Sequence, residues 1–136
     1  MPSAVDDLKR VPLFSGLNGR QLRKLASRVS ERHFKPGRTV LKEGSMGGIG
    51  FFVVTGGEAS VSIGGKEVAT LSAGDHFGEL ALVSRSERTA TITARTELRC
   101  LEIAFSDFRE FAHANPDVTW RLLQDVVAML EREKAR

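Results

Sequence analysis

The residues best suited to chemistry lie between positions 73 and 94, in the segment AGDHFGELALVSRSERTATITA. Within sequence that otherwise favours strands, ELAL is a single turn of good helix formers directly after Gly78. A helix start exposes several unpaired backbone N–H groups, and these suit an anion. Because Gly78 has no Cβ, a ligand can approach the backbone closely. The segment therefore predicts an anion site built from main-chain donors.

Arg88 follows Glu79 at the head of the TATITA strand. Its planar fork of donors suits two phosphate oxygens, provided that the intervening residues fold back towards the helix start. Spacing alone does not establish that fold-back, since an arginine at a strand start is more often a solvated surface charge. Glu79 by itself could equally be an acid that the helix dipole favours. On the residues alone, both interpretations stay open.

The composition is that of one ordinary globular domain. The chain has 136 residues, of which 41% are apolar and 27% are charged. No apolar run reaches the length of a membrane span, and the start MPSAVDDLKR lacks a hydrophobic signal, so we expect a cytoplasmic protein. The net charge of +3 is modest and the basic residues are interspersed with acids, which argues against a nucleic-acid partner. Cys100, in an apolar alternation, is interpreted as a core residue.

Helical signals come first in the chain. A short helix is predicted around Val5 to Arg10. Asn18 with Gln21 three residues later resembles a capping box, and apolar residues at helical spacing follow it. Those apolar residues are Leu22, Leu25, Ala26 and Val29.

A β-rich middle runs from about Arg32 to Ile103, with alternations such as EASVSI and TATITA. The pair Gly64-Gly65 predicts a hairpin, and Gly56-Gly57 is expected to make another. Seven or eight short strands suggest an antiparallel sandwich or barrel of the jelly-roll kind.

Helical signals return at Phe105. Ser106 is predicted to cap a helix through Phe108 and Phe111, and Asn115-Pro116 to begin a longer helix. One apolar stripe is predicted on that last helix, and Trp120 is expected in the core. The stripe could cover the core, cover a ligand or pair with a partner helix. Its members are Val118, Leu122, Leu123, Val126, Val127 and Leu130.

The stretch FGELALVSRSERTAT resembles the phosphate-binding cassette of cyclic nucleotide-binding domains, which occur in kinase regulatory subunits, gated channels and catabolite-activator-type regulators. VPLFSGL and FKPGRTVLKEGSMGGIGFFVVTGGEASV resemble the segments around the first strands of that family. The resemblance covers nearly the whole chain. It implies a mainly β fold, an antiparallel β-roll (jelly roll) with a short phosphate-binding helix. The single domain 1–136 would comprise N-terminal helices in 1–30, the roll in 31–103 and two C-terminal helices in 104–136.

The resemblance also implies a site. Glu79 would accept a hydrogen bond from the ribose 2′-hydroxyl, and Arg88 would pair with the cyclic phosphate. Backbone N–H groups would complete the anion cradle. Neither catalysis, a metal nor a cofactor is implied. The expected ligand-binding residues are Phe77, Gly78, Glu79, Leu80, Ala81, Arg88, Thr89 and Ala90.

One residue and one loop depart from the family pattern, and a further residue, Thr89, bears on which nucleotide is bound. Glu87 stands where many members have proline, and the SMGGIG loop is about one residue longer than usual and lacks its usual aspartate. Thr89 resembles cyclic-GMP-preferring sites of eukaryotic relatives, yet many bacterial-type domains carry Ser or Thr there and bind cyclic AMP. We expect cyclic AMP, with cyclic GMP as the alternative.

Other classes of function are compatible with parts of the sequence. The domain could be a ligand-free interaction module of the same fold, although Glu79 and Arg88 are both present. A cupin-type metal enzyme would use His76 with Glu79, but the other histidines, His33 and His113, lie in unrelated segments. A transcription regulator would need a helix-turn-helix after the last helix. We expect the C-terminal helix to transmit occupancy, through another protein chain, through self-association or through a part that this sequence does not include. Residues 126–130 are the candidate cover for the base.

Overall fold

The computed structural model describes residues 3–44, 50–78 and 90–135. Within these residues the chain forms two four-stranded sheets in which every paired strand is antiparallel. The strands are β1 Val29–Phe34, β2 Thr39–Leu41, β3 Gly50–Gly56, β4 Ala59–Ile63, β5 Lys66–Leu71, β6 His76–Phe77, β7 Thr91–Ala94 and β8 Leu98–Ala104. Sheet A has the order β1-β8-β3-β6 and sheet B the order β2-β7-β4-β5. The expectation of a mainly β roll with flanking helices is confirmed.

Helices flank the strands at both ends of the chain. The predicted capping box is confirmed: Asn18 Oδ1 accepts from the Gln21 amide and Gln21 Oε1 accepts from the Asn18 amide, both at 2.9 Å. No helix among the described residues is both long and apolar enough to cross a membrane. The helices are α1 Ala4–Lys9, a 3₁₀ turn Pro12–Phe14, α2 Gly19–Ala26, α3 Phe105–Ala114 and α4 Pro116–Lys134.

The start of α3 differs from the prediction. The helix begins at Phe105, with Ala104 in the N-cap position and no side-chain cap, so Ser106 lies inside the first turn. Ala104 is still paired with Gly50 across the β3–β8 ladder. Because strand β8 runs directly into the helix, no residue is left between them to cap it at Ser106.

The two glycine pairs have different roles. Gly64 and Gly65 both adopt positive φ, 61° and 81°, and join β4 to β5 in the predicted hairpin. The hairpin predicted at Gly56-Gly57 is wrong, because β3 belongs to sheet A and β4 to sheet B. Gly57 has φ of 82°, and a Cβ there would lie 2.0 Å from the carbonyl oxygen of Glu97. This glycine allows close backbone approach where the chain crosses between the sheets.

In the described parts of the chain, two apolar clusters make the core. One lies between the outer face of sheet A and the helices, and the other between the two sheets. Strand β3 serves both, since Phe51 and Val53 belong to the helix-side cluster and Phe52 and Val54 to the inter-sheet cluster. Sheet A is therefore a middle layer that contacts helices on one face and the roll interior on the other.

Cys100 is buried in the inter-sheet cluster, as expected from its alternation. Burial raises the pKa of its thiol to about 12, and the charge of Arg32 lowers that pKa by a smaller amount. The thiol is therefore protonated at neutral pH and behaves as a small apolar side chain.

Helix α4 does not bury the whole predicted stripe. Val118 and Leu122 are in the core and Val126 packs against it, but Leu123 is 51% exposed. Trp120 was expected in the core and is 63% exposed, so that prediction is wrong. The helix-side cluster on sheet A already contains residues of α3 and the N-terminal helices, and α4 adds to it one line of residues a helical turn apart, Val118, Leu122 and Val126. Residues on the adjacent line of the helix remain in solvent; they are Leu123, Val127 and Leu130.

Candidate functional site

The structure describes the two ends of the predicted cassette. Phe77, Gly78 and Ala90 are described, whereas Glu79, Leu80, Ala81, Arg88 and Thr89 lie outside the described residues, as does the predicted ELAL turn. Residues 45–49 of the SMGGIG loop also lie outside them. The described part of the site is thus its frame, the strands that lead into and out of the cassette.

Strand β6 leads into the cassette. Phe77 is buried in the inter-sheet cluster, where its ring stacks on that of Phe52 with a centroid distance of 4.9 Å and an interplanar angle of 3°. Gly78 then has φ of 96°. A residue with a Cβ rarely adopts that conformation, so the backbone path itself favours glycine here. The approach of a ligand to Gly78 stays a prediction.

Strand β7 leads out of the cassette. Ala90 is half-buried and precedes β7, which begins at Thr91 and places Ile92 in the inter-sheet cluster. Strand β7 lies in sheet B between β2 and β4, whereas β6 belongs to sheet A. The cassette therefore connects the two sheets of the roll.

Glu43 connects three parts of sheet B through two hydrogen bonds. Its amide donates to the Thr91 hydroxyl at 3.0 Å, and its carboxylate accepts from the Gly64 amide at 2.9 Å. The segment after β2 is thus held to the β4–β5 turn and to the first residue of β7. Sequence reasoning missed this role of Glu43, because its partners lie 48 and 21 residues away and leave no local pattern.

His76 joins strand β6 to helix α4. Its Nε2 lies 3.1 Å from Asp125 Oδ2, and its ring stacks on Phe51 at a centroid distance of 5.3 Å. The His76 side chain is 13% exposed and that of Asp125 38% exposed. Sequence reasoning considered His76 only as a metal ligand, and among the described residues no three His, Cys, Asp or Glu side chains are grouped to hold a metal ion.

A groove of about 420 Å³ lies between α2 and α3 and contains none of the predicted site residues. Arg28 spans it, with its guanidinium 2.6 Å from the Asp107 carboxylate. We interpret this groove as a helix–helix seam rather than as part of the cassette.

The family model of the cyclic nucleotide-binding domain matches residues 31–115, a range that includes the whole cassette and both strands that frame it. This chain belongs to the cyclic nucleotide-binding domain family. The matched range contains β6, Gly78 and β7, the described elements on either side of residues 79–89.

Two relatives are similar over most of the chain. The chain is 39% identical over 104 residues to a cAMP-dependent protein kinase regulatory subunit of Yarrowia lipolytica, covering 75% of this chain and 28% of that protein. It is 38% identical over 96 residues to a cGMP-dependent protein kinase of Toxoplasma gondii, covering 71% and 10%. This cyclic nucleotide-binding domain thus spans less than a third of the length of either relative.

A solved structure of cAMP-bound PfPKA-R, residues 141–441, matches this domain with a TM-score of 0.83 and 26% sequence identity. The match covers 96% of this chain and 46% of that one. The helices at both ends of the domain are therefore included in the likeness, as well as the roll.

Proposed function

We propose that this domain senses a cyclic nucleotide, cyclic AMP in preference to cyclic GMP, and binds it in the segment 77–90. The observation that carries the proposal is the family match over residues 31–115. That range contains the complete segment FGELALVSRSERTAT. Relatives named for cAMP and a similar structure with cAMP bound support the choice of nucleotide.

Arg88 and Glu79 divide the recognition between them. The guanidinium of Arg88 pairs with the cyclic phosphate, and the Glu79 carboxylate accepts a hydrogen bond from the ribose 2′-hydroxyl. A cyclic phosphodiester carries one negative charge, so one arginine and a few main-chain donors balance it. Those donors are the N–H groups around Leu80, Ala81 and Thr89.

The described ends of the cassette support this assignment. The ring stack of Phe77 on Phe52 fixes the incoming strand inside the roll. The positive φ of Gly78 turns the backbone directly before Glu79. Ala90, which is half-buried, returns the chain to sheet B. A frame anchored on both sides reduces the ordering that ligand binding requires.

The domain itself acts as a binding module in the cytoplasm and not as an enzyme. Helix α4 transmits occupancy to another protein chain or to a further part of the same protein, as the greater length of the relatives suggests. A preference for cyclic GMP is the second candidate, favoured by Thr89 and by the similarity to a cGMP-dependent protein kinase.

A calorimetric titration of the 136-residue chain with cyclic AMP and cyclic GMP side by side tests the proposal. We expect saturable one-to-one binding with the lower dissociation constant for cyclic AMP. Tighter binding of cyclic GMP would select the second candidate, and Thr89→Ala should then weaken cyclic GMP more than cyclic AMP. Absence of binding to either nucleotide would identify a ligand-free interaction module instead.

A further inference from the structure

Strand β6 contacts both layers of the core with successive residues. His76 faces the helix side and stacks on Phe51, whereas Phe77 faces the roll interior and stacks on Phe52. This alternation follows from the pleat of a strand, in which neighbouring side chains point to opposite faces. A shift of the strand backbone at His76 therefore also moves Phe77 and Gly78, which lead into the proposed nucleotide site.

Among the described residues, β6 pairs with one strand along a short ladder. The strand has two residues and is last in the order of sheet A, where it pairs with β3 at Phe52 and Val53. The adjoining turn adds two hydrogen bonds with Val54: its amide donates to the Asp75 carbonyl at 2.8 Å, and its carbonyl accepts from the Gly74 amide at 2.9 Å. With so short a ladder, side-chain contacts have a large share in fixing where the strand lies.

Helix α4 provides such a contact through Asp125. This residue lies one helical turn beyond the buried Leu122, and its Oδ2 is 3.1 Å from Nε2 of His76. The imidazole is largely buried while the carboxylate is partly in solvent. The contact joins residues that are 49 positions apart, and it connects the C-terminal helix directly to the strand before Gly78.

We propose that Asp125 and His76 are positioning residues for the cyclic nucleotide site: their contact holds β6 in the arrangement that binds nucleotide and couples occupancy to α4. The inference rests on the proposed function. Neither residue needs to touch the nucleotide, because a strand already held in place lowers the ordering cost of binding. By thermodynamic reciprocity, nucleotide binding strengthens the contact by the same factor.

Calorimetric titration of the full chain with cyclic AMP tests the proposal. We expect Asp125→Ala and His76→Ala each to weaken binding by roughly tenfold, the scale of a lost hydrogen bond to a charged group. The double variant should be no weaker than the weaker single variant, since both remove one contact. Two exposed residues provide matched controls, Glu131→Ala on the same helix and His113→Ala on α3, and both should stay within about twofold of the original affinity.

Conservative variants separate positioning from a general loss of structure. Asp125→Asn keeps an oxygen acceptor and His76→Gln keeps a terminal N–H donor, so both should retain most of the affinity. If His76→Ala does not fold, the Asp125 variants decide the question, because that carboxylate lies partly at the surface. Hydrogen exchange at the amides of residues 76–78 should accelerate in nucleotide-free Asp125→Ala and not in Glu131→Ala.

The outcomes distinguish this inference from the proposed function. An Asp125→Ala chain that binds cyclic AMP as tightly as Glu131→Ala would overturn the positioning role. So would a double variant that loses as much binding free energy as the two single variants together. An Asp125→Asn loss as large as that of Asp125→Ala would also contradict it. A chain that binds neither nucleotide overturns both proposals, whereas binding that Arg88→Ala weakens and Asp125→Ala leaves unchanged overturns this one alone.

Discussion

At the scale of single residues, two glycines with nearly the same backbone angle differ in what surrounds them. Gly57 has φ of 82° and Gly37 has φ of 86°. A Cβ on Gly57 would lie 2.0 Å from the Glu97 carbonyl oxygen, whereas a Cβ on Gly37 would meet no atom within 4 Å. The pair therefore separates the cost of positive φ from the cost of a backbone clash.

We predict that Gly37→Ala lowers the free energy of unfolding by about 1 kcal/mol, the cost of the left-handed conformation alone. Gly57→Ala should lower it by about 3 kcal/mol or more, because the Glu97 carbonyl must move as well. Urea denaturation of both variants measures the difference. Equal losses would mean that the crossing between sheets adjusts freely and that the close approach does not constrain Gly57.

The residue scale also marks a limit of sequence reasoning. Gly78 was singled out for its place before a predicted helical turn, whereas its positive φ is a separate property that the sequence pattern did not predict. The contact between His76 and Asp125 was not predicted, because no local pattern connects positions so far apart in the chain. The same holds for Glu43 and Thr91, whose hydrogen bond exists only once the sheet has formed.

At the scale of elements, helix α4 presents two adjacent leucines in opposite environments. Leu122 is 7% exposed and packs in the helix-side cluster, whereas Leu123 is 51% exposed. We predict that Leu122→Ala lowers the free energy of unfolding by about 2 to 4 kcal/mol, as for other buried leucines. Leu123→Ala is the matched control and should cost about 1 kcal/mol or less.

Chemical denaturation followed by circular dichroism compares the two leucine variants. A larger loss for Leu123→Ala than for Leu122→Ala would show that α4 docks through its other side. Sequence periodicity correctly predicted that α4 exists and is amphipathic, but it placed both leucines on one stripe. Which line of the helix is buried depends on how much of sheet A the other helices already cover, and no periodicity contains that information.

At the scale of the whole molecule, the chain crosses repeatedly between two sheets, and one of these crossings is the cassette between β6 and β7. The approximate number of strands and their antiparallel arrangement were predictable from the alternation of apolar residues and from the glycine pairs. The distribution of strands between sheets was not, as Gly56-Gly57 shows: a glycine pair between two apolar runs is typical of a hairpin, yet here it joins strands of different sheets. Long-range pairing, such as β3 with β8, decides that question.

Less of the candidate site than of the fold could be predicted from the residues alone. Gly78 and Arg88 could be proposed as an anion site from residue chemistry, but the roles in nucleotide binding came from the family pattern, which the match over residues 31–115 confirms at the level of the family. The roles of Glu79 and Arg88 themselves stay predictions.

Calorimetric titration of cyclic AMP into Arg88→Ala tests the central claim most directly. Removing the arginine leaves the cyclic phosphate without its charge partner, so we predict that the affinity falls by roughly a hundredfold to a few thousandfold. Arg109→Ala, which removes an exposed arginine on α3, should leave the affinity within about twofold. An Arg88→Ala chain that binds cyclic AMP as tightly as Arg109→Ala would contradict the account.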